Sequence, residues 1–292
     1  MTFNDIFNRY ITPLEPVLTG CEPSGSPSHP VKALLFDIYG TLFISSSGEK
    51  SISADLKSME KHLWSLVFDF NLSLTPNELL SMYAKATNDE YLRKKNRGVN
   101  WPEVEIDRIW QNILGCDSLE TARMFALGFE LIVNPVYPMP GLNEMLFKIR
   151  QTNVKTGIIS NAQFYTPLTF EYFCGATPEN LGFDPDLVFY SYRVKRAKPS
   201  MFLFETAAEI LYKYGISPKK VLTIGNDMLN DISPAQREGF QTALFAGDKR
   251  SLRLREGDPD CLRIKPDIIL TDLSQLPDMA GLQPIHYRMQ SF

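Results

Sequence analysis

Histidine is scarce, with only His29, His62 and His286 in 292 residues. They fall in no cluster, which argues against a hydrolase built on a serine–histidine or cysteine–histidine pair. The four cysteines, Cys21, Cys116, Cys174 and Cys261, are scattered. None forms a C-x-x-C pair, so a zinc site is not expected, and each reads as a small reduced hydrophobe. No apolar run approaches the ~18 residues that would span a bilayer. Asp5 and Arg9 interrupt the N-terminus before any signal-type apolar stretch develops. The expectation is therefore a cytoplasmic protein with no membrane partner. A net charge of -4 leaves no basic excess, so nucleic acid is not expected either.

What is present is an ordinary globular balance, 44% hydrophobic and 22% charged, which rules against a disordered chain. Residues 1–30 read as an N-terminal extension and linker. A short amphipathic stretch (Phe3, Ile6, Phe7, Tyr10, Ile11) leads into CEPSGSPSHP, a loop that lacks the G-K-[ST] of a phosphate-binding loop. Val31–Phe36 is an apolar run ending at Asp37, as expected of a parallel strand buried on both faces. From residue 51 to 133 the spacing is helical. Leu56, Met59, Leu63, Trp64, Val67 and Phe70 form one stripe, and Thr75–Glu78 is a capping box with proline at the first helical position. After the Pro-rich segment Asn134–Gly141, strands at 154–159, 187–190, 221–224, 241–245 and 267–270 alternate with helices at 142–150, 201–214 and 231–238. The expected fold is α/β, a doubly wound parallel sheet interrupted by an all-helical insertion. The expected domains are a core of residues 31–45 and 135–292 and a helical domain of residues 46–134.

In a doubly wound sheet, ligands bind beyond the carboxyl ends of the strands. Four polar clusters sit there: Asp37-Ile-Tyr39-Gly-Thr41, Ser160-Asn161, Lys198 before a helix, and Gly225-Asn226-Asp227-Met-Leu-Asn-Asp231. Each alone has an ordinary explanation as a cap, a turn or a solvated charge. In this order they form a chemical set. Asp37 can attack an electrophile and form a covalent intermediate. Thr41, the turn amides and Ser160 can hold anionic oxygens, and Lys198 can neutralise charge. Asp227 and Asp231 would repel Asp37 unless a cation intervened, and Mg²⁺ suits such a site.

These segments resemble the haloacid dehalogenase (HAD) superfamily. LLFDIYGTL is similar to its first motif, GIISN to the second, AKP to the third and IGNDMLND to the acidic fourth. The resemblance implies a Rossmann-like core with a helical cap inserted after the first motif, and Asp37 as nucleophile. It implies a catalytic set of Asp37, Tyr39, Thr41, Ser160, Asn161 and Lys198. It also implies a metal set of Asp37, the Tyr39 carbonyl, Asn226, Asp227 and Asp231, with Mg²⁺ as cofactor and a small anionic molecule as substrate.

Two departures divide the expected activities. Phosphatases of this family carry an aspartate two residues after the nucleophile as general acid and base, where this chain has Tyr39. A phenol of pKa ~10 is a poor base at neutral pH. The fourth motif reads Gly-Asn-Asp where Gly-Asp is usual. Tyr39 is what metal-free haloacid dehalogenases carry, but those also hold substrate with an arginine early in the cap, and no arginine occurs between Asp37 and Arg93. The expectation is a Mg²⁺-dependent phosphatase. The alternatives are a metal-free 2-haloacid dehalogenase, or a fold retained for binding without turnover. Arg93, Lys94, Lys95 and Arg97 read as solvated cations at a helix carboxyl end.

Overall fold

The computed structural model describes residues 1–45 and 56–285, so His286 and the expected boundary at residue 46 fall outside the described residues. The strands are β1 Ser24–Gly25, β2 Ala33–Phe36, β3 Phe43–Ser45, β4 Val136–Pro138, β5 Lys155–Ser160, β6 Val188–Tyr190, β7 Val221–Gly225, β8 Gln241–Phe245 and β9 Ile268–Leu270. The helices are α1 Phe3–Tyr10, α2 Leu56–Asp69, α3 Pro76–Asn96, α4 Ile106–Leu114, α5 Leu119–Val133, α6 Leu142–Arg150, α7 Thr166–Cys174, α8 Ser191–Val194, α9 Met201–Lys213, α10 Ser233–Arg237 and α11 Leu276–Met279.

One sheet carries the order β1-β9-β8-β7-β2-β5-β6. Its pairings are parallel except for β1, which runs antiparallel to β9 at the edge. All four residues of β2 are fully buried, as the apolar run requires of a strand covered on both faces. The chain passes from β2 to β5 and β6 on one side, then returns to β7, β8 and β9 on the other. The reversal of direction leaves a crevice at the carboxyl ends of β2, β5 and β7. Phe36 pairs with Ile158 on one side and Ile224 on the other. The residues that follow these strands therefore emerge along one edge.

Helices α2 to α5 lie between β3 and β4, which pair as an antiparallel ribbon of their own. Thr75 caps α3 with the reciprocal bonds of a capping box to Glu78, as the sequence predicts. A separate core of Leu63, Leu66, Trp110, Phe125, Phe129 and neighbours holds these helices together. The expected helix at 231–238 starts differently. Met228–Ile232 form one wide π-helical turn, and the regular helix runs only from Ser233 to Arg237. Pro234 has no N–H to extend a regular ladder backward.

The first thirty residues are fastened to the rest of the chain at several points. α1 buries Ile6, Phe7 and Tyr10 in the same core as α5. Arg9 and Tyr10 bond the Asp69 carboxylate of α2 at 2.6 and 2.5 Å. On the other side, Phe7 stacks on Tyr172 of α7 with ring centroids 4.5 Å apart, and the Tyr172 hydroxyl donates to Asn8 at 2.8 Å. Farther on, the Val17 N–H donates to Asp248, and β1 closes the sheet edge at β9.

Candidate active site

Asp37 is the first residue past β2, and its N–H donates to the Ile224 carbonyl at 2.8 Å. One carboxylate oxygen, Oδ1, accepts from Ser160 Oγ at 2.9 Å and from Lys198 Nζ at 2.6 Å. The other, Oδ2, has only a long approach from Thr41 Oγ1 at 3.4 Å. Thr41 Oγ1 also lies 3.2 Å from Asn226 Oδ1. Its one hydroxyl proton serves either acceptor. Gly40 makes this turn possible. Its φ of +90° suits glycine, and a Cβ there would meet the Asn226 side chain at 2.7 Å.

Lys198 is 5% exposed and bridges two carboxylates, Asp37 at 2.6 Å and Asp231 Oδ1 at 2.5 Å. Burial pushes its ammonium down, but Asp231 and Asp37 outweigh that and hold it above the ordinary lysine range. Burial in turn pushes Asp231 up to about 7, against the pull of Lys198 and with the charge of Asp37 adding to the rise. The Asp231 carboxylate fits because residue 225 is glycine; a Cβ there would lie 2.3 Å from Asp231 Cγ.

The structure gives three expected site residues particular attachments. The Asn161 side chain accepts from the Lys198 N–H at 2.7 Å and donates to its carbonyl at 3.4 Å, so it fixes the backbone that carries the lysine. The Tyr39 hydroxyl pairs with Thr166 Oγ1 at 2.8 Å, and burial raises its pKa. Asp227 accepts from the N–H groups of Leu229 and Asn230 and is gripped bidentately by Arg255, at 3.0 Å from Nε and 2.6 Å from a terminal nitrogen.

A family model described as haloacid dehalogenase-like hydrolase matches residues 31–239, which hold all four clusters. The chain belongs to the haloacid dehalogenase-like hydrolases. No curated protein matches it. Solved structures of similar fold include the 2-haloacid dehalogenase from Pseudomonas syringae pv. Tomato DC3000, at 18% identity and a TM-score of 0.52, covering 86% of this chain and 98% of that one. The HAD phosphatase from Thermococcus onnurineus is similar at 18% identity and a TM-score of 0.52, covering 87% and 100%. The HAD-hydrolase YfnB from Bacillus subtilis, bound to magnesium, is similar at 17% identity and a TM-score of 0.50, covering 87% and 100%. At these identities the likeness speaks for the fold.

In this haloacid dehalogenase-like hydrolase the cavity at Asp37 measures about 240 Å³. Its lining is polar apart from Tyr39, and includes Asp37, Asp227 and Asp231 against Lys198, Arg253 and Arg255. Both arginines escape the sequence reading. They lie in the irregular segment between β8 and β9, and the only signal is a short alternation, Arg253-Leu-Arg255. A larger cavity of about 610 Å³, lined by Trp101, Arg196, Phe202 and Arg237 among others, contains none of Asp37, Ser160, Lys198 or Asp231. The smaller one is where Asp37 meets Lys198, Arg253 and Arg255.

The oxygens available to a cation are few. Among the described residues, no three acidic, histidine or cysteine side chains form a metal-binding group. Asp37 Oδ2 and Asn226 Oδ1 share only the Thr41 hydroxyl, and the Tyr39 carbonyl accepts no backbone bond among the described residues. One carboxylate and two neutral oxygens fit Mg²⁺, which keeps waters and takes substrate phosphate oxygens. Among the described residues, no helix is long and apolar enough to cross a membrane.

Proposed function

We propose that this chain hydrolyses small phosphate monoesters through a phosphoryl-aspartate at Asp37, with Mg²⁺ as cofactor and helices α2 to α5 as a cap. The observation that carries this reading is the cavity lining. A pocket in which Lys198 stands beside Asp37, with hydroxyl and amide groups in the wall, suits a phosphate group.

Ser160 and Lys198 hold Asp37 Oδ1 and leave Oδ2 as the attacking oxygen. A bond forms from Oδ2 to phosphorus as the bond to the leaving oxygen breaks, and the electron pair departs with the leaving group. The Thr41 hydroxyl is placed to donate to a phosphoryl oxygen. Water then attacks phosphorus, releasing inorganic phosphate and freeing Asp37. Asp37, the Tyr39 carbonyl and Asn226 would hold Mg²⁺, while Asp227 and Asp231 are engaged by Arg255 and Lys198. When bound, the ion would neutralise charge on the phosphoryl oxygens. The Tyr39 hydroxyl is shared with Thr166 Oγ1, where either group can donate, and a phenol is a far weaker acid than the carboxyl usual at this place. Leaving groups that are stable as anions, phenolates and carboxylates, should therefore react fastest.

The test is hydrolysis of an aryl phosphate with and without Mg²⁺, with Asp37→Asn as the blank. Mg²⁺-dependent turnover that the substitution abolishes supports the reading; no turnover of any phosphomonoester sinks it. A second reading, metal-free dehalogenation of a 2-haloacid, is favoured by Tyr39 and by the pairing of Asp227 with Arg255, which lowers the need for a cation. Chloride release from 2-chloropropionate in chelator would support it.

A further inference from the structure

Among the described residues, no side chain of the helical insertion lines the cavity at Asp37. Apart from Ser45 and the four motifs, the lining comes from one core segment, Ser251 to Arg255. That segment is stitched to the fourth motif like an added strand. The Arg253 N–H donates to the Asn226 carbonyl, and the Met228 N–H donates to the Arg253 carbonyl, both at 2.9 Å. Arg253 and Arg255, the latter at a φ of +54°, both reach the cavity, while Leu254 between them is 43% exposed.

The two arginines are held differently. Arg255 grips Asp227. Arg253 donates from one terminal nitrogen to the carbonyls of Arg250 and Leu252, at 2.8 and 2.9 Å. Those bonds orient the guanidinium without neutralising it. Among the described residues, Arg253 has no carboxylate partner. A fixed, uncompensated guanidinium in a reactive pocket is an anion receptor, and its planar fork matches a carboxylate.

We propose that Arg253 binds a second anionic group on the substrate, so that this hydrolase acts on a small phosphate monoester that also carries a carboxylate. The proposal rests on the phosphoryl reading of Asp37. The cavity of about 240 Å³ admits a phosphate and a carboxylate a few atoms apart. Arg253 then gives the core a part in selectivity.

The test uses two non-hydrolysable probes, phosphonoacetate and its neutral amide, phosphonoacetamide. Their dissociation constants are measured by calorimetry with Mg²⁺ present. The wild-type protein should bind the acid about 10- to 100-fold more tightly than the amide, the range of a charge-assisted pair. Arg253→Gln should bring the acid to the level of the amide and leave amide binding unchanged, which also shows that the variant is folded. Arg253→Lys should keep part of the preference. Equal wild-type affinity for both probes overturns the proposal alone, as does an equal loss of both in Arg253→Gln. Binding of neither probe removes the phosphoryl reading and this proposal with it.

Discussion

Replacing Lys198 with methionine removes the one ammonium between Asp37 and Asp231, both bonded to it within 2.6 Å. The two carboxylates then face each other about 5 Å apart, and at an effective dielectric near 20 their repulsion is about 3 kcal/mol. Breaking a buried ion pair by removing one partner typically costs about 3–5 kcal/mol, so the two routes agree. Methionine keeps the packing of the stem, which confines the loss to charge. The loss should depend on pH. Burial already places Asp231 at about 7 with the lysine present. Without the lysine its folded pKa rises further above the unfolded value of ~3.9. A carboxyl raised in the folded state costs nothing below its unfolded pKa, and the cost grows with pH until the folded pKa is passed, so the two proteins differ only above about 7, where Asp231 ionises with the lysine present. The deficit should therefore be small at pH 5 and reach about 1.4 kcal/mol at pH 8, growing toward about 3 kcal/mol only at higher pH. Urea unfolding in chelator at both pH values measures it. Mg²⁺ added at pH 8 should recover part of the loss if a cation can stand in for the ammonium. A deficit equal at pH 5 and 8, or none at all, would refute the reasoning.

Rates on a series of aryl and alkyl phosphates should fall steeply as the leaving-group pKa rises, because residue 39 is a phenol rather than a carboxyl. A flat series would mean that a proton donor has been overlooked. Tyr39→Phe should lose about 1 kcal/mol of stability, the value of its bond to Thr166, and leave kcat nearly unchanged. Gly225→Ala should drive a methyl into the Asp231 carboxylate, destabilising the fold by about 1–3 kcal/mol and depressing kcat, as denaturation and turnover would show. Glu130, raised by burial and bonded by Asn134 at 3.0 Å, should be stabilised by Glu130→Gln at pH 8, and the gain should vanish as pH falls below ~4.3, where both states are protonated. Thermal melts across pH would show it.

The parallel strands were legible because burial on both faces leaves uninterrupted apolar runs, and the polar residues ending those runs are the ones gathered around Asp37. What the sequence conceals is partnership. Asp227 and Asp231 look alike four residues apart, yet one is bound to Arg255 and the other to Lys198. Arg255 lies in irregular chain with no periodicity to announce it. Asn161 reads as a reactive group beside Ser160, whereas its amide holds the backbone of Lys198. The apolar stripe of α1 is visible at Ile6, Phe7 and Tyr10, but nothing local says that α5 and α7 cover it. The strands β3 and β4 are too short, and β4 too rich in proline, to register as a ribbon.

The placement of α1 has a mechanical consequence. A body hung on two adjacent strands swings like a gate about the line between them. Here further fastenings lie off that line: α1 is wedged between α5 and α7, the chain behind it is anchored at Asp248 and along β9, and Glu103 and Glu105 of the insertion bond Ser191 and Lys195 of the core. A body tied at several points off one line resists swinging about it.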